Sequence, residues 1–361
     1  MRKSFDEVFE DVTKYGTKVK TDEYHVSGAH IIIDQGQEQI AGYTDLQDGL
    51  FTAVPALIFG DHTRVVKYID KPFFLGADGV KVLRSRFKDA NYRYLYYALK
   101  NIRVPNTGYN RHFKWLKDSI IEYPDNEEQC SIVTILDKLS NIIDARKAEL
   151  QQFDNLIKAR FVEMFAKYEN TSHLVLDDIS EMVTVGIANS ATHAYSKEGV
   201  IMFRNQNIKE GFLDDSDLIY IRKDFANKYK TKALKGNDLL VTRTGYPGIA
   251  CIVPVKYEGC QTFTTLIVRL KNDANIRPVF VCHYINSSYG KEFVTGNQVG
   301  VAQQNFGAKS LAQMPIFLPP VEEQIDFENL IELVDKSKFE VQKALEETQL
   351  LFDSLMQKFF S

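Results

Sequence analysis

Long apolar runs, paired cysteines and phosphate-binding loops are all missing from this chain. No stretch approaches the roughly 20 apolar residues that a membrane span requires, and the opening MRKSFDEVFEDV has no apolar core of the secretory type. A cytoplasmic protein without membrane contact is expected. Cysteine is scarce: Cys130, Cys251, Cys260 and Cys282 form no C-x-x-C pair and have no His-rich companions. Free thiols in a reducing compartment are therefore expected, not disulfides or a metal centre. The loop G-x-x-x-x-G-K-[ST] is absent, because Gly290–Lys291 runs into Glu292. So is any [DE]-x-K tripeptide, the simplest metal-nuclease signature. Leu318-Pro319-Pro320 lacks the polar first residue of the [DN]-P-P-[YF] motif of amino-methyltransferases, and no glycine-rich S-adenosylmethionine loop accompanies it. His62 beside Asp61 and His112 beside Arg111 have neither nucleophile nor metal partner to act with. These absences point to a chain that binds and positions.

What is present is ordinary for a globular protein: 44% hydrophobic and 25% charged over 361 residues, enough for two or three domains. The net charge of −4 argues at first against a polyanionic partner, but its distribution is uneven. Residues 125–165 hold 8 acidic and 5 basic side chains, and residues 321–360 hold 10 and 4. The remainder carries 35 Lys and Arg against 30 Asp and Glu, a net +5. That remainder is compatible with nucleic acid, though the excess alone is a weak signal.

The two acidic segments open on nearly the same phrase, EYPDNEEQ at 122–129 and LPPVEEQ at 318–324. Aligning them fixes an offset of 195 residues. Each is followed by about 40 residues without Gly or Pro, far beyond an average helix. A 4-3 ladder runs Ile132, Leu136, Leu139, Ile143, Arg146, Leu150, Phe153, Ile157, Arg160, Met164. Shifted by 195 it becomes Phe327, Ile331, Val334, Lys338, Val341, Leu345, Thr348, Phe352, Leu355, Phe359. A period of 3.5 sustained this long predicts a coiled-coil seam. The phrases themselves read as helix starts. Asp125 with Glu128 fits a capping box, Pro320 suits the first turn, and the paired glutamates complement the helix dipole.

Upstream of each helix lies a block of short β-type runs (HIIIDQ, ALIFGD; DLLVTRTG, TLIVRL) separated by turn residues. YRYLYYALKNI and PVFVCHYINSS read as short helices. Landmarks recur in order: FEDV and LDDI, then FGDHTR and TRTGYPG, then GADGVKVL and TFTTLIVRL. The expected fold is α+β, with two mixed α/β domains separated by two long antiparallel coiled-coil helices in a pseudo-twofold repeat. The expected boundaries are 1–124 for the first domain, 125–168 for the central helix, 169–320 for the second domain and 321–361 for the C-terminal helix, with KYENTSH (167–173) as the joint. Such an object suits an extended ligand of approximate twofold symmetry, and duplex DNA has both properties.

This pattern resembles the specificity subunit of type I restriction–modification enzymes over essentially the whole chain. GVIMFRNQNIKEGFL with LKGNDLLVTRTGYPGIACIVP is similar to a common target-recognition-domain pattern. FGDHTRVVKYIDKPFFLGADGVKVL with GYNRHFKWLKDSIIEYP is similar to another variant, although the first EEQ phrase has Pro-Asp-Asn where the second has Pro-Pro-Val. The resemblance implies two target recognition domains, each reading half of a split double-stranded DNA site. It implies helices that set the spacer and dock two methyltransferase subunits, with restriction and motor subunits joining that core. S-adenosylmethionine, ATP and Mg would then belong to the partners, leaving this chain non-catalytic and without a cofactor. A coiled-coil adaptor with two protein-binding heads, or a self-contained restriction nuclease, remain as alternatives.

Base readout uses Arg, Lys, Asn, Gln or hydroxyl side chains on exposed loops. In the first block these are His62, Arg64 and Lys67, then Arg111, His112 and Lys114. In the second they are Arg204, Asn205, Gln206 and Asn207, then Arg243, Gln303, Gln304 and Asn305. The competing reading is surface solvation or local pairing, such as Asp61 with Arg64. Tyr109 and Tyr246 are expected to be buried loop anchors.

Overall fold

The computed structural model describes residues 1–76, 78–108, 110–171, 174–188, 191–272, 275–298 and 305–360. Two compact units emerge: residues 1–148 with 342–361, and residues 149–341. The two long helices, α4 (Asn126–Phe165) and α9 (Val321–Phe360), each begin in one unit and finish in the other. They start within one residue of where the EEQ phrases place them. No helix among the described residues is long and apolar enough to cross a membrane.

The first unit runs β1 (Arg2–Ser4), α1 (Phe5–Val8), β2 (Phe9–Asp11), β3 (His30–Ile33), β4 (Gly42–Thr44), β5 (Ala56–Gly60), β6 (Val66–Ile69), β7 (Phe73–Leu75), β8 (Val80–Ser85), α2 (Tyr92–Asn101), α3 (Phe113–Lys117), β9 (Ile120–Glu122) and the start of α4. Its strands form a β1-β9 pair, a β2-β8-β5-β6 sheet and a β4-β3-β7 sheet in which β3 and β7 are parallel. In β5 every residue is buried, as expected of a strand covered on both faces. Leu57 and Phe59 join the core beneath α2, while Ile58 joins the core shared with Phe73 and Leu75.

The second unit runs β10 (Leu174–Val175), a 3-10 turn at Leu176–Ile179, β11 (Ser180–Val185), β12 (Tyr195–Ser196), β13 (Val200–Phe203), β14 (Ile219–Ile221), α5 (Lys223–Lys228), β15 (Leu239–Val241), β16 (Ala250–Ile252), β17 (Gln261–Thr262), β18 (Leu266–Leu270), α6 (Pro278–Asn286), α7 (Ser288–Gly296), α8 (Ala308–Ala312), β19 (Pro315–Ile316) and the start of α9. Its sheets are β10-β19, β11-β18-β15-β16 and β12-β14-β13-β17, again with a parallel pair, β13 and β17. Strand for strand this is the topology of the first unit, with β12, α5 and α7 added.

Individual hydrogen bonds repeat as well. Phe5 N–H donates to Ser119 O at 3.1 Å, and Leu176 N–H to Met314 O at 2.9 Å. Arg86 N–H donates to Val8 O, and Lys271 N–H to Ile179 O. These pairs correct one landmark. The counterpart of Leu176–Ile179 is Phe5–Val8, not the FEDV at 9–12, because each forms the turn between a short edge strand and the four-stranded sheet. Both turns close through an acidic side chain on a backbone amide: Glu7 accepts from Ser4 N–H at 2.6 Å, and Asp178 from Val175 N–H at 2.8 Å.

The ladder positions of both helices are buried or half-buried throughout. In the second unit the helix segments run antiparallel: Asp154 meets Lys338 (2.7 Å), and Phe161 meets Phe327 with ring centroids 5.4 Å apart. Polar rungs are partnered rather than stranded. Arg146 donates to Ala344 O and to Thr348 Oγ1, so the polar rungs at 146 and 348 meet each other. Lys338 pairs with Asp154.

The glutamine of each EEQ phrase explains the repetition better than capping does. Gln129 and Gln324 are buried, and each Nε2 donates to the carbonyl of the proline five residues back, Pro124 and Pro319, at 2.9 Å. Gln324 Oε1 also accepts Arg277 N–H at 2.8 Å. Asp125 caps α4 through the Glu128 amide at 2.9 Å. Pro320 sits one residue ahead of α9 rather than inside its first turn.

In the second unit Phe161, Phe165, Phe280 and Phe327 form one aromatic cluster, with centroids 5.0–5.7 Å apart. Phe161 is buried. Phe161→Ala is expected to cost about 3–5 kcal/mol, read as a lowered denaturant midpoint with an unchanged slope.

Candidate nucleic-acid interface

In both units three loops converge at equivalent positions: the segment after the parallel-paired strand (β3 or β13), the turn joining β5 to β6 or β15 to β16, and the segment ahead of the short helix α3 or α8. The same backbone link ties the last two together. His112 N–H donates to Asp61 O at 2.8 Å, and Phe306 N–H donates to Arg243 O at 2.9 Å.

In the first unit Gln35 binds the loops. Its Oε1 accepts His62 N–H at 3.1 Å, its carbonyl accepts Thr63 Oγ1 at 2.6 Å, and its Nε2 donates to Asp78 O at 2.8 Å. The Asp61 carboxylate is buried and accepts Phe113 N–H at 2.8 Å, fixing the start of α3. Asp61 is thereby engaged with α3 and not with Arg64. Arg64 holds a left-handed backbone (φ 64°), and its buried Nε has no hydrogen-bond partner. Arg111 and Lys114 are exposed, with Lys114 Nζ lying 4.2 Å over the Trp115 ring.

In the second unit Asn205 Nδ2 donates to Thr244 Oγ1 at 2.8 Å, and Arg243 Nε donates to Asn305 Oδ1 at 3.0 Å. These bonds join all three loops. Arg204 and Gln206 both reach Asp217, at 2.8 and 2.7 Å. The β15–β16 turn is pinned by buried Thr242, whose Oγ1 donates to Tyr246 O at 2.7 Å and accepts Ile249 N–H at 2.9 Å. Gly245 (φ 78°) and Gly248 (φ 92°) supply the left-handed backbone that this turn needs.

The expectation of exposed loop tips fails for three residues. Lys67 is on β6 and only 2% exposed; its Nζ lies 3.4 Å from Asp34 Oδ1 and donates to Glu38 O at 2.5 Å, and burial pulls its pKa below the usual lysine value. His112 is fully buried, with Nδ1 2.9 Å from Asp61 O. Asn207 is buried, its Oδ1 accepting Arg204 N–H and its Nδ2 donating to the Asp214 and Asp217 carbonyls. All three order the loops from beneath. Tyr246, expected to be an anchor, is 84% exposed at the tip of its turn. Gln303, Gln304 and Tyr109 lie outside the described residues. Sequence reasoning missed Gln35, Thr244 and Asp217, which carry no motif and are recognisable only from the loops they bridge.

The remaining groups are Arg64, Arg111 and Lys114 in one unit, and Arg204, Asn205, Gln206, Arg243, Asn305 and Tyr246 in the other. They are guanidinium, ammonium, amide and phenol groups, the chemistry that phosphates and base edges accept. Among the described residues no group of three or more His, Cys, Asp or Glu is placed to hold a metal.

One α/β unit present twice, each copy with its own donor-bearing loop cluster and half of each long helix, defines an internally duplicated α/β protein. The family model described as "Type I restriction modification DNA specificity domain" matches residues 3–153 and again 173–348. The chain belongs to that family. It is 24% identical over 348 residues to the EcoR124I/EcoR124II specificity subunit of Escherichia coli, covering 91% of this chain and 83% of that one. It is also 24% identical over 278 residues to the EcoBI specificity subunit of Escherichia coli, covering 68% of this chain but only 58% of that subunit. The crystal structure of the type I restriction–modification S subunit from M. genitalium shares the fold, with a TM-score of 0.54 at 14% identity over 100% of this chain and 96% of that one. A chain from a structure of type I restriction–modification complex assembly and conformational transition does so with a TM-score of 0.58, again at 14% identity, over 100% and 97%.

Proposed function

We propose that this chain is the DNA-recognition subunit of a type I restriction–modification complex and has no catalytic activity of its own. Each unit reads one half of a bipartite duplex site through its three-loop surface. Arg64, Arg111, Lys114, Arg204, Asn205, Gln206, Arg243, Asn305 and Tyr246 supply the contacts, with His62 beside them. Lys67, His112 and Asn207 support those loops from within. The helices α4 and α9 set the spacer and dock two methyltransferase subunits. Restriction and motor subunits join that core, and S-adenosylmethionine, ATP and Mg belong to the partners.

The observation that carries this reading is the repetition of the loop cluster: in both copies of one topology the turn after the central strand is tied to the segment ahead of the short helix by the same backbone bond, His112 N–H to Asp61 O and Phe306 N–H to Arg243 O. Exposed apolar residues on α9, Leu333, Phe339, Leu350 and Leu351, support partner docking along that helix.

A binding assay with the partner-bound chain separates this from a protein-binding adaptor. Competition between motif-bearing and random duplexes is expected to show a preference of 10³ or more. Log affinity is expected to fall steeply with log salt as phosphate contacts release counterions. Equal affinity for both duplexes with a flat salt dependence would favour the adaptor.

A further inference from the structure

An acidic side chain stands inside the surface proposed to meet a polyanion. Asp217 is 67% exposed, yet its Oδ2 accepts both Arg204 Nη2 (2.8 Å) and Gln206 Nε2 (2.7 Å). Its carbonyl accepts Arg204 Nη2 again at 3.1 Å and Asn207 Nδ2 at 2.9 Å. Asp214 N–H donates to Asn207 O at 2.7 Å, so segments 204–207 and 214–217 are fastened along their length. Beside this fork lie two buried polar atoms without a partner, Arg204 Nε and Asn205 Oδ1. A carboxylate here repels phosphate, so its position calls for a compensating role.

We infer that Asp217 is a positioning residue for base readout by the second unit. This rests on the DNA-recognition reading above. Two long, flexible side chains converge on one carboxylate oxygen, which orders them before DNA arrives, so less freedom is lost on binding. Gln206 gives one N–H to Asp217 and keeps its other N–H and Oε1, the pair that matches N7 and N6 of adenine. Arg204 keeps Nη1 for the O6 and N7 edge of guanine. The ligand is thus a purine edge in the major groove. The Asp217 charge also penalises backbone-only docking, so discrimination rises at the expense of general affinity.

The test uses the full chain with its methyltransferase subunits. Three duplexes are compared: the cognate motif, one with the second half-site scrambled and one with the first scrambled. Asp217→Asn is expected to lower the preference for the cognate second half-site about tenfold. It is also expected to raise affinity for the duplex scrambled there, with a salt slope steeper by about one as Arg204 turns to phosphate. Discrimination at the first half-site stays at the wild-type level. Asp217→Glu, which keeps the charge, is expected to retain more discrimination than Asp217→Asn. If wild type shows no preference for either half, the DNA-recognition reading itself fails. If wild type discriminates and Asp217→Asn matches it, the inference is overturned. Equal weakening on all duplexes, or loss at the first half-site too, also overturns it, because Asp217 would then be merely structural.

Discussion

Exchanging residues 1–124 for the equivalent block of another family member is expected to replace one half of the methylated motif completely. The other half and the spacer should stay as they are. The first unit's candidate readout loops all lie in this block, and no loop of the second unit does. The block must still fit the helix segments it packs on. Tyr97 Oη donates to Asp137 at 2.6 Å, Arg93 pairs with the same carboxylate, and the Tyr94 ring lies 5.2 Å from Phe360. Burial and the Asp137 carboxylate together push the Tyr97 pKa up. A donor block that keeps an Arg or Lys where Arg93 stands and aromatics where Tyr94 and Tyr97 stand should assemble normally. Mapping the methylated bases reads the outcome. Each mismatch costs about 1–3 kcal/mol, so a change confined to one half is unambiguous.

The second large effect concerns spacing. Inserting seven residues into α4 between 148 and 149, and seven into α9 between 341 and 342, adds about 10.5 Å to each helix at 1.5 Å per residue. That matches roughly three base pairs at about 3.4 Å each. Seven residues return each ladder to its own face, so the rungs stay in phase. The pair Arg146–Thr348 lies wholly within the first unit and Asp154–Lys338 wholly within the second, so neither insertion parts them. Both half-sites should be preserved and the spacer should grow by about three base pairs. An unchanged spacer would remove the ruler role from the helices. Inserting seven residues into one helix alone makes the stretches from Arg146 to Asp154 and from Lys338 to Thr348 unequal, so the Arg146–Thr348 and Asp154–Lys338 pairs cannot both keep register, and loss of assembly is expected.

The parts of this molecule legible in sequence are those set by periodicity. The 4-3 ladder identified the buried rungs of α4 and α9, because a seam leaves a mark at every turn. The run ALIFG marked β5, because a strand buried on both faces is continuously apolar, and LIVRL marked β18 through its buried first three residues. The sheet topology was hidden, since pairing β3 with β7 or β13 with β17 depends on long-range register that no local pattern encodes. The candidate interface was half legible. Arg204, Gln206 and Arg243 reached the loop surface, but donors of the same chemistry, Lys67, His112 and Asn207, were drawn inward by Asp34, Asp61 and Asp214. Composition cannot tell a donor facing solvent from one fastening a loop. Tyr246 misled for the reverse reason: an aromatic between glycines reads as an anchor, but the hydroxyl of Thr242 already holds that turn.

One chain carrying two independent readers is the core of the proposed function. Methylation-motif mapping in a host that carries the methyltransferase subunits, with and without this chain, tests it most directly. A chain-dependent motif of two defined halves separated by unspecified bases, methylated on both strands, is expected. A single continuous motif, or methylation unchanged when the chain is removed, would contradict it.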